Sequence, residues 1–193
     1  MLRNPRIEAG AFSSLWTGVR RPVLKKNLMV VMLMGVAGSG KTTVGRLLAA
    51  ALGWKFRDAD EFLPAANVAK MAAGRPLDDA DRAPWLAAIR AGVEQALAAG
   101  EDTVVTCSAL KEQYRRALES DPVRIRWVHL QGDPELIRGR LAARRGHFMK
   151  PEMLRSQLAA LEPPRDALVL DVADPPETLV AKIRAELLGF RAP

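Results

Sequence analysis

The segment GVAGSGKT at residues 35–42 constrains the fold of this chain more than any other feature of its sequence. It matches the P-loop pattern, in which two glycines and a Lys-Thr pair stand at a fixed spacing. The apolar run 28–34 precedes it, and a helical pattern over 41–52 follows it. A buried strand, a glycine-rich turn and a helix in that order predict a binding site for a nucleoside triphosphate.

Each residue type in this segment has a role in binding phosphates. The glycines let backbone N–H groups curl around a polyphosphate at the positive end of the helix dipole. Lys41 can bridge the β- and γ-phosphates, and the Thr42 hydroxyl can bind Mg²⁺. The predicted ATP-binding residues of this segment are Gly35, Val36, Ala37, Gly38, Ser39, Gly40, Lys41, Thr42 and Thr43.

Strand and helix patterns alternate along the rest of the chain. Short segments rich in Val, Ile and Leu predict strands at 28–34, 54–58, 102–107, 124–130 and 167–172. Helices are predicted at 41–52, 65–73, 79–99, 111–119, 134–145, 151–161 and 176–188. Because these strands are mostly apolar on both faces, we expect an α/β protein with the three-layer P-loop NTPase fold. Its five-stranded parallel sheet carries helices on both faces.

The chain has the length of one domain, which we assign to residues 28–193. Residues 1–27 lack sustained periodicity, and we interpret them as a disordered or extraneous tail, with an organellar transit segment as the alternative. Six Arg and Lys residues against one Glu place five of the seven net positive charges there. The rest of the chain has no basic stripe with interleaved aromatics, so we expect no nucleic-acid partner.

The cysteine content and the hydropathy indicate the compartment. The single Cys107 has no partner for an internal disulfide, and no Cys/His cluster has zinc-ligand spacing. No uninterrupted apolar run reaches the roughly 18 residues of a membrane span. We therefore expect a cytoplasmic protein without a membrane partner.

Several classes of P-loop protein lack support in the sequence. A GTPase would carry an Asn-Lys-x-Asp motif, which is absent. A motor ATPase would carry an acidic residue at the end of a central strand, whereas the strand 102–107 ends in Cys107-Ser108. Asp171 has the right surroundings but leaves only one helix after it. The small size and the single domain favour a small-molecule kinase.

A second chemical motif, Asp58-Ala59-Asp60, follows the predicted strand 54–58. Open α/β sheets bind ligands at the carboxyl ends of their strands. One carboxylate can therefore hold Mg²⁺ while the other orients an acceptor hydroxyl. A turn that caps a helix is the alternative interpretation.

Residues 58–86 carry a resemblance to a known family. They include NVAKMAAGRPL at 67–77 and DDADRAPWL at 78–86. The chain resembles the gluconokinases of the P-loop, shikimate-kinase-like type, whose pattern is DGD-x-x-H-P-x-x-N-x-x-K-M-x-x-G-x-P-L-x-D-x-D-R-x-P-W-L. Further matching blocks lie at 107–115, 140–149 and 156–164. The resemblance covers about residues 28–189.

The resemblance implies Mg²⁺-dependent transfer of a phosphoryl group from ATP to O6 of D-gluconate, in a protein that forms a homodimer. The implied catalytic residues are Lys41, Asp60 and Arg144, and the implied metal ligands are Thr42 and Asp58. The implied acceptor-binding residues are Asp60, Arg82, Lys111, Tyr114 and Arg115, all able to bind a carboxylate or hydroxyls. A basic segment at about 138–150 is interpreted as a mobile lid, with Arg140 at the nucleotide and Arg144 at the transferring phosphoryl group.

Two positions depart from the family pattern. Ala59 replaces the usual glycine, and Leu63 stands where the family has His. Leu63 leaves the acceptor open, so shikimate, a nucleotide or another sugar acid remains the alternative substrate, and a regulator without turnover remains the non-enzyme alternative. Trp85 and His129 are expected in the core, and His147 is expected to order the lid.

Overall fold

The described residues form one parallel five-stranded sheet in the order β2-β3-β1-β4-β5. The computed structural model describes residues 29–143 and 153–190. The strands are β1 Val30–Met34, β2 Lys55–Asp58, β3 Thr103–Thr106, β4 Ile125–Gln131 and β5 Ala167–Asp171. Each lies within one or two residues of a predicted strand, so the predicted parallel sheet is confirmed.

Helices connect the strands in chain order. They are α1 Lys41–Leu52, α2 Ala65–Ala72, α3 Asp79–Ala98, α4 Glu112–Leu118, α5 Pro134–Ala143, α6 Leu154–Ala160 and α7 Pro176–Phe190. A 3-10 helix at Ala59–Phe62 follows β2 directly and was not predicted. No helix within the described ranges is long and apolar enough to cross a bilayer.

Alternating side chains of the sheet build a separate core on each face. Val31 and Leu33 of β1 pack with α1, α5 and α7 in one buried cluster. Val30 and Met32 of the same strand pack with α3 and α4 in the other. Every side chain of β1 is fully buried, which explains why the run before the P-loop is apolar throughout. The three-layer fold follows from this division.

The turn between β1 and α1 requires glycine. Gly35 has φ +142°, and a Cβ there would lie 2.6 Å from the carbonyl oxygen of Leu130. Gly40 has φ +89° and is the N-cap of α1. Other residues are strained in this left-handed region, so the two glycines of the motif fix the path of the loop at the helix N-terminus.

Helix α1 approaches the sheet most closely at Gly45. A Cβ at this position would lie 2.7 Å from Cε2 of Phe56, 3.0 Å from Cγ2 of Thr106 and 3.2 Å from Cδ1 of Leu33. The missing side chain therefore allows α1, which carries Lys41 and Thr42, to pack directly on the strands. Gly139 in α5 has no atom within 4 Å of such a Cβ.

We expect Gly45→Ala to destabilise the protein by about 1–2 kcal/mol, because overpacking outweighs the gain in helix propensity. Gly139→Ala is the matched control, because the same exchange in open space should stabilise by up to about 1 kcal/mol. Urea unfolding of both variants measures the difference. A stabilised Gly45→Ala protein would contradict close packing at this position.

Candidate active site

A cavity of about 1000 Å³ opens at the carboxyl ends of β1, β2 and β3. The sequence-predicted residues that line it are Ala37, Gly38, Ser39, Gly40, Lys41, Thr42, Thr43, Asp58, Asp60, Arg82, Lys111, Tyr114 and Arg140. The predicted donor and acceptor residues therefore share one space. Gly35, Val36 and Arg115, although described, are not among the residues that line this cavity. Arg144 and His147 lie outside the described residues, as does most of the predicted lid.

The P-loop holds its own lysine. Lys41 Nζ donates hydrogen bonds to the carbonyl oxygens of Gly35 at 3.0 Å and Val36 at 2.9 Å. Although these two residues do not line the cavity, their carbonyls fix the ammonium group beside the loop. Backbone N–H groups at the start of α1 and this ammonium together form a cationic cradle suited to phosphates.

Thr42 and Asp58 form a pair of oxygen donors. Thr42 Oγ1 donates to Asp58 Oδ2 at 3.0 Å, joining the start of α1 to the end of β2. The other carboxylate oxygen of Asp58 accepts from the backbone N–H of Asp60 at 3.2 Å and caps the 3-10 helix. Asp58 is therefore a helix cap, as the alternative interpretation of the motif has it, and it also lines the cavity.

Trp85 fixes the short 3-10 helix that carries Asp60. Its indole N–H donates to the carbonyl oxygen of Ala59 at 2.7 Å, and its side chain is only 7% exposed. Trp85 is thus a core residue, as predicted. Ala59 is fully buried in the same cluster, so its methyl group fits where the family has glycine. Asp60 is held at the mouth of the cavity by packing beneath it.

A polar network on the acceptor side joins α3 to α4. Arg82 donates to the carbonyl oxygen of Leu77 and, at 3.3 Å, to the phenol oxygen of Tyr114. The Tyr114 hydroxyl donates to Asp79, which also accepts from Lys111 Nζ at 2.9 Å. Hydrogen bonds from Tyr114, and then from Lys111 and Gln113, hold the pKa of the Asp79 carboxyl well below its usual range. Burial, together with the bond to Asp79, raises the pKa of Tyr114.

This network includes a residue that sequence reasoning missed. Asp79 is not among the site residues predicted from the sequence, but its carboxylate accepts hydrogen bonds from both Lys111 and Tyr114 and so orients them. At neutral pH the Asp79 carboxylate is ionised and the Tyr114 phenol is protonated, because the pKa of the carboxyl is lowered and the pKa of the phenol is raised. The phenol can therefore donate its hydrogen bond to the carboxylate. The acidic run at 78–81 was the available signal, but it did not show which carboxylate faces α4.

Much of the family-like block at 67–82 is a scaffold. Asn67 is buried and donates to the carbonyl oxygen of Asp81 at 2.8 Å. Lys70 forms ion pairs with Asp78 and Asp81, and those two aspartates complete a capping box at the start of α3. These contacts tie α2 to the first turn of α3, where Arg82 begins its path into the cavity.

Arg115 has a different location from the one expected of an acceptor ligand. It is 8% exposed, and its Nη1 donates to the carbonyl oxygens of Ala109 at 3.0 Å and Leu110 at 3.1 Å. Burial lowers its pKa. Ala109 has φ +44°, a conformation that costs energy without glycine. Arg115 therefore holds the loop after β3 and contacts backbone, not the cavity.

Leu63 contributes an apolar wall to the cavity. It packs on the buried cluster of Met71, Leu77 and Met153.

Cys107 also lines the cavity, where burial raises the pKa of its thiol to about 12 and leaves it protonated. Arg140 lines the cavity as well and donates to the carbonyl oxygen of Val172 at 2.8 Å. His129 is 2% exposed in β4, and burial lowers its pKa, which confirms a core position.

The chain is similar to known proteins in both sequence and structure. Residues 30–164 match the family model described as an AAA domain. A gluconokinase of Gluconobacter oxydans is 49% identical over 143 residues, covering 74% of this chain and 79% of that protein. A crystal structure of a sugar kinase from Janibacter sp. HTCC2649 superposes with a TM-score of 0.78 at 42% identity, covering 83% of this chain and 94% of that one. A gluconokinase structure from Sinorhizobium meliloti gives a TM-score of 0.72 at 38% identity, with coverages of 85% and 98%.

Proposed function

The chain belongs to the gluconokinase family, and on that premise we propose that it transfers the terminal phosphoryl group of ATP to O6 of D-gluconate. The products are ADP and 6-phospho-D-gluconate. One observation carries the proposal. A single cavity is lined by the P-loop on one side and by Asp60, Arg82, Lys111 and Tyr114 on the other.

The donor half binds the phosphates of ATP. The N–H groups of residues 37–43 and the ammonium of Lys41 supply positive charge where the phosphate chain enters. Lys41 exchanges its bonds to the carbonyls of Gly35 and Val36 for bonds to phosphate oxygens. Arg140, at the edge of the same cavity, binds the nucleotide from the opposite side.

The oxygen donors of Thr42 and Asp58 fit Mg²⁺. They lie 3.0 Å apart and are hard ligands of the kind this ion prefers. Within residues 29–143 and 153–190, no three His, Cys, Asp or Glu side chains come together as a metal site. Thr42 and Asp58 would supply two ligands, and phosphate oxygens and water would supply the rest. Bound there, Mg²⁺ would neutralise charge on the transferring phosphoryl group.

The acceptor half binds the sugar acid. The Arg82 guanidinium and the Lys111 ammonium supply positive charge for the carboxylate, and Tyr114 and Asp60 supply partners for hydroxyl groups. Asp60 orients the primary alcohol and accepts its proton late in the transfer. Phosphoryl transfer passes through a loose transition state, so charge stabilisation by Lys41 and Arg144 outweighs proton removal. Arg115 acts by holding the loop between Ser108 and Lys111.

Acceptor identity is tested with the purified chain. We expect ADP release with ATP, Mg²⁺ and D-gluconate, and much weaker release with shikimate, a nucleoside monophosphate or another aldonic acid. Coupling ADP formation to an NADH assay measures each rate. Faster turnover of one of the other acceptors would replace gluconate as the substrate, and the apolar side chain of Leu63 would be the first place to seek the reason.

The mechanism ranks two residues of the site. Lys41→Ala should lower kcat more than Asp60→Asn, whose loss we expect to be on the order of 10²-fold, the usual size for removing a general base. The reason is that Lys41 binds charge that develops on the phosphoryl oxygens. Steady-state rates at saturating ATP and gluconate give the comparison. The reverse order would mean that deprotonation of the acceptor dominates the barrier.

Arg82 is tested with a matched control on the same helix. Arg82→Leu should raise the KM for gluconate by roughly 10-fold or more, with a smaller change in the KM for ATP, because a charged hydrogen bond to the acceptor is lost. Arg90 lies on α3, where it pairs with Glu94 and donates to the carbonyl oxygen of Ala117, and it does not line the cavity, so Arg90→Leu should leave both values unchanged. An unaltered KM for gluconate in Arg82→Leu would remove this residue from the acceptor site.

The setting of the reaction completes the proposal. A cytoplasmic location is supported by the substrates, ATP and a small sugar acid, and by the single cysteine, which is a buried thiol. A homodimer is proposed from the family resemblance alone. The anionic substrates account for the local Arg and Lys residues of the cavity, and no nucleic-acid partner is proposed.

A further inference from the structure

Helix α6 reaches into the donor site through Gln157. The side-chain oxygen Oε1 of Gln157 accepts a hydrogen bond from the backbone N–H of Ala37 at 2.7 Å. The two residues are 120 positions apart, so the contact exists only in the folded chain. Gln157 belongs neither to the P-loop motif nor to the Asp-Ala-Asp motif.

The hydrogen-bond partner of Gln157 is a backbone N–H group of the P-loop. Backbone N–H groups of a P-loop are the donors that bind phosphate oxygens, and Ala37 lies in the middle of the loop. Gln157 therefore places a neutral amide within hydrogen-bond distance of the phosphate cradle. The contact is partly buried, and the side chain belongs to the cavity wall.

Gln157 also lies where the two halves of the site meet. It lines the large cavity together with the P-loop, and it lines an adjoining cavity of about 450 Å³. That second cavity includes Asp79, Arg82 and Lys111, whereas none of the P-loop residues is in its lining. Gln157 thus contacts the phosphate cradle and also lines the cavity that includes the acceptor network. The group that must cross between them is the terminal phosphoryl group.

Contacts at both ends of α6 fix the position of Gln157. Leu154 is buried in the core at the start of the helix. Just beyond its end, the backbone N–H of Glu162 donates to the carbonyl oxygen of Leu110 at 2.9 Å. The carboxylate of Glu162 accepts from the N–H of Glu112 at 2.6 Å and caps α4. Helix α6 is therefore fastened to the acceptor loop while Gln157 contacts the donor loop.

The chemistry of the side chain points to a nearby anion. If capping the Ala37 N–H were its only role, a glutamate of nearly the same shape would accept that bond more strongly. A carboxylate at this place would repel the phosphates, whereas an amide does not. An amide with both a donor and an acceptor therefore suits a wall that faces a phosphoryl group.

We propose that Gln157 is the specificity-determining residue for the terminal phosphoryl group of ATP, orienting it toward the acceptor. The inference rests on the proposed function, since it assumes that ATP occupies the P-loop. It predicts that Gln157 distinguishes ATP from ADP, which ends one phosphoryl group short of this position.

Gln157→Glu separates this role from simple loop capping. Binding of ADP and of the non-hydrolysable β,γ-imido analogue of ATP is measured by calorimetry on the full chain with Mg²⁺. We expect the analogue to bind at least about tenfold more weakly, while the affinity for ADP changes by less than about twofold, because the terminal phosphoryl group of the analogue comes nearest to the new carboxylate and ADP ends one group short of it. Gln157→Ala should spare ADP binding and lower kcat on the order of tenfold, since the phosphoryl group is left unoriented.

Gln95→Glu is the control for added charge, because Gln95 is exposed on α3 away from both cavities. It should leave both nucleotide affinities unchanged. Equal loss of ADP and analogue in Gln157→Glu, or no loss of either, would reduce Gln157 to a loop cap and overturn the inference while the proposed function stands. A wild-type chain that binds neither nucleotide would overturn the proposed function itself, and this inference with it.

Discussion

The arrangement of this protein depends on how closely one helix can begin at the edge of the sheet. Gly35 and Gly40 adopt left-handed backbone conformations, and Gly45 lets α1 lie against Leu33, Phe56 and Thr106. The first N–H groups of α1 therefore point into the space above the strand ends. With the helix fixed there, Thr42 reaches Asp58, and the donor site is joined to the loop that carries Asp60. A site for ATP follows from backbone geometry before any charged side chain is considered.

The strands and helices were predictable because burial leaves a pattern in the chain. A strand such as Val30–Met34, covered on both faces, is apolar throughout, and the helices next to it have caps and breakers. The 3-10 helix Ala59–Phe62 was not predictable, because four residues are too few to show a period. The same limit explains why the sequence left open whether Asp58 caps a helix or binds a ligand.

Roles within the site were harder to predict than its location. Arg82 and Arg115 look alike in the sequence, since each is a basic residue at the fourth position of its helix. The fold turns Arg82 into the cavity and Arg115 toward the carbonyls of Ala109 and Leu110. Asp79 and Gln157 act through partners 32 to 35 and 120 residues away, and local spacing does not show such contacts. The sequence identifies the chemistry at hand, and tertiary packing decides which groups perform it.

The wall formed by Leu63 has a consequence for divergence among related enzymes. Its side chain packs on Met71, Leu77 and Met153, and the carbonyl oxygen of Leu77 also accepts a hydrogen bond from Arg82. An exchange at this one position alters the shape and polarity of the cavity without replacing any of the charged side chains that line it. The nucleotide half has no such freedom, because its loop permits only glycine at key positions. Evolution can therefore retune the choice of sugar acid at this corner without rebuilding the machinery that delivers the phosphate.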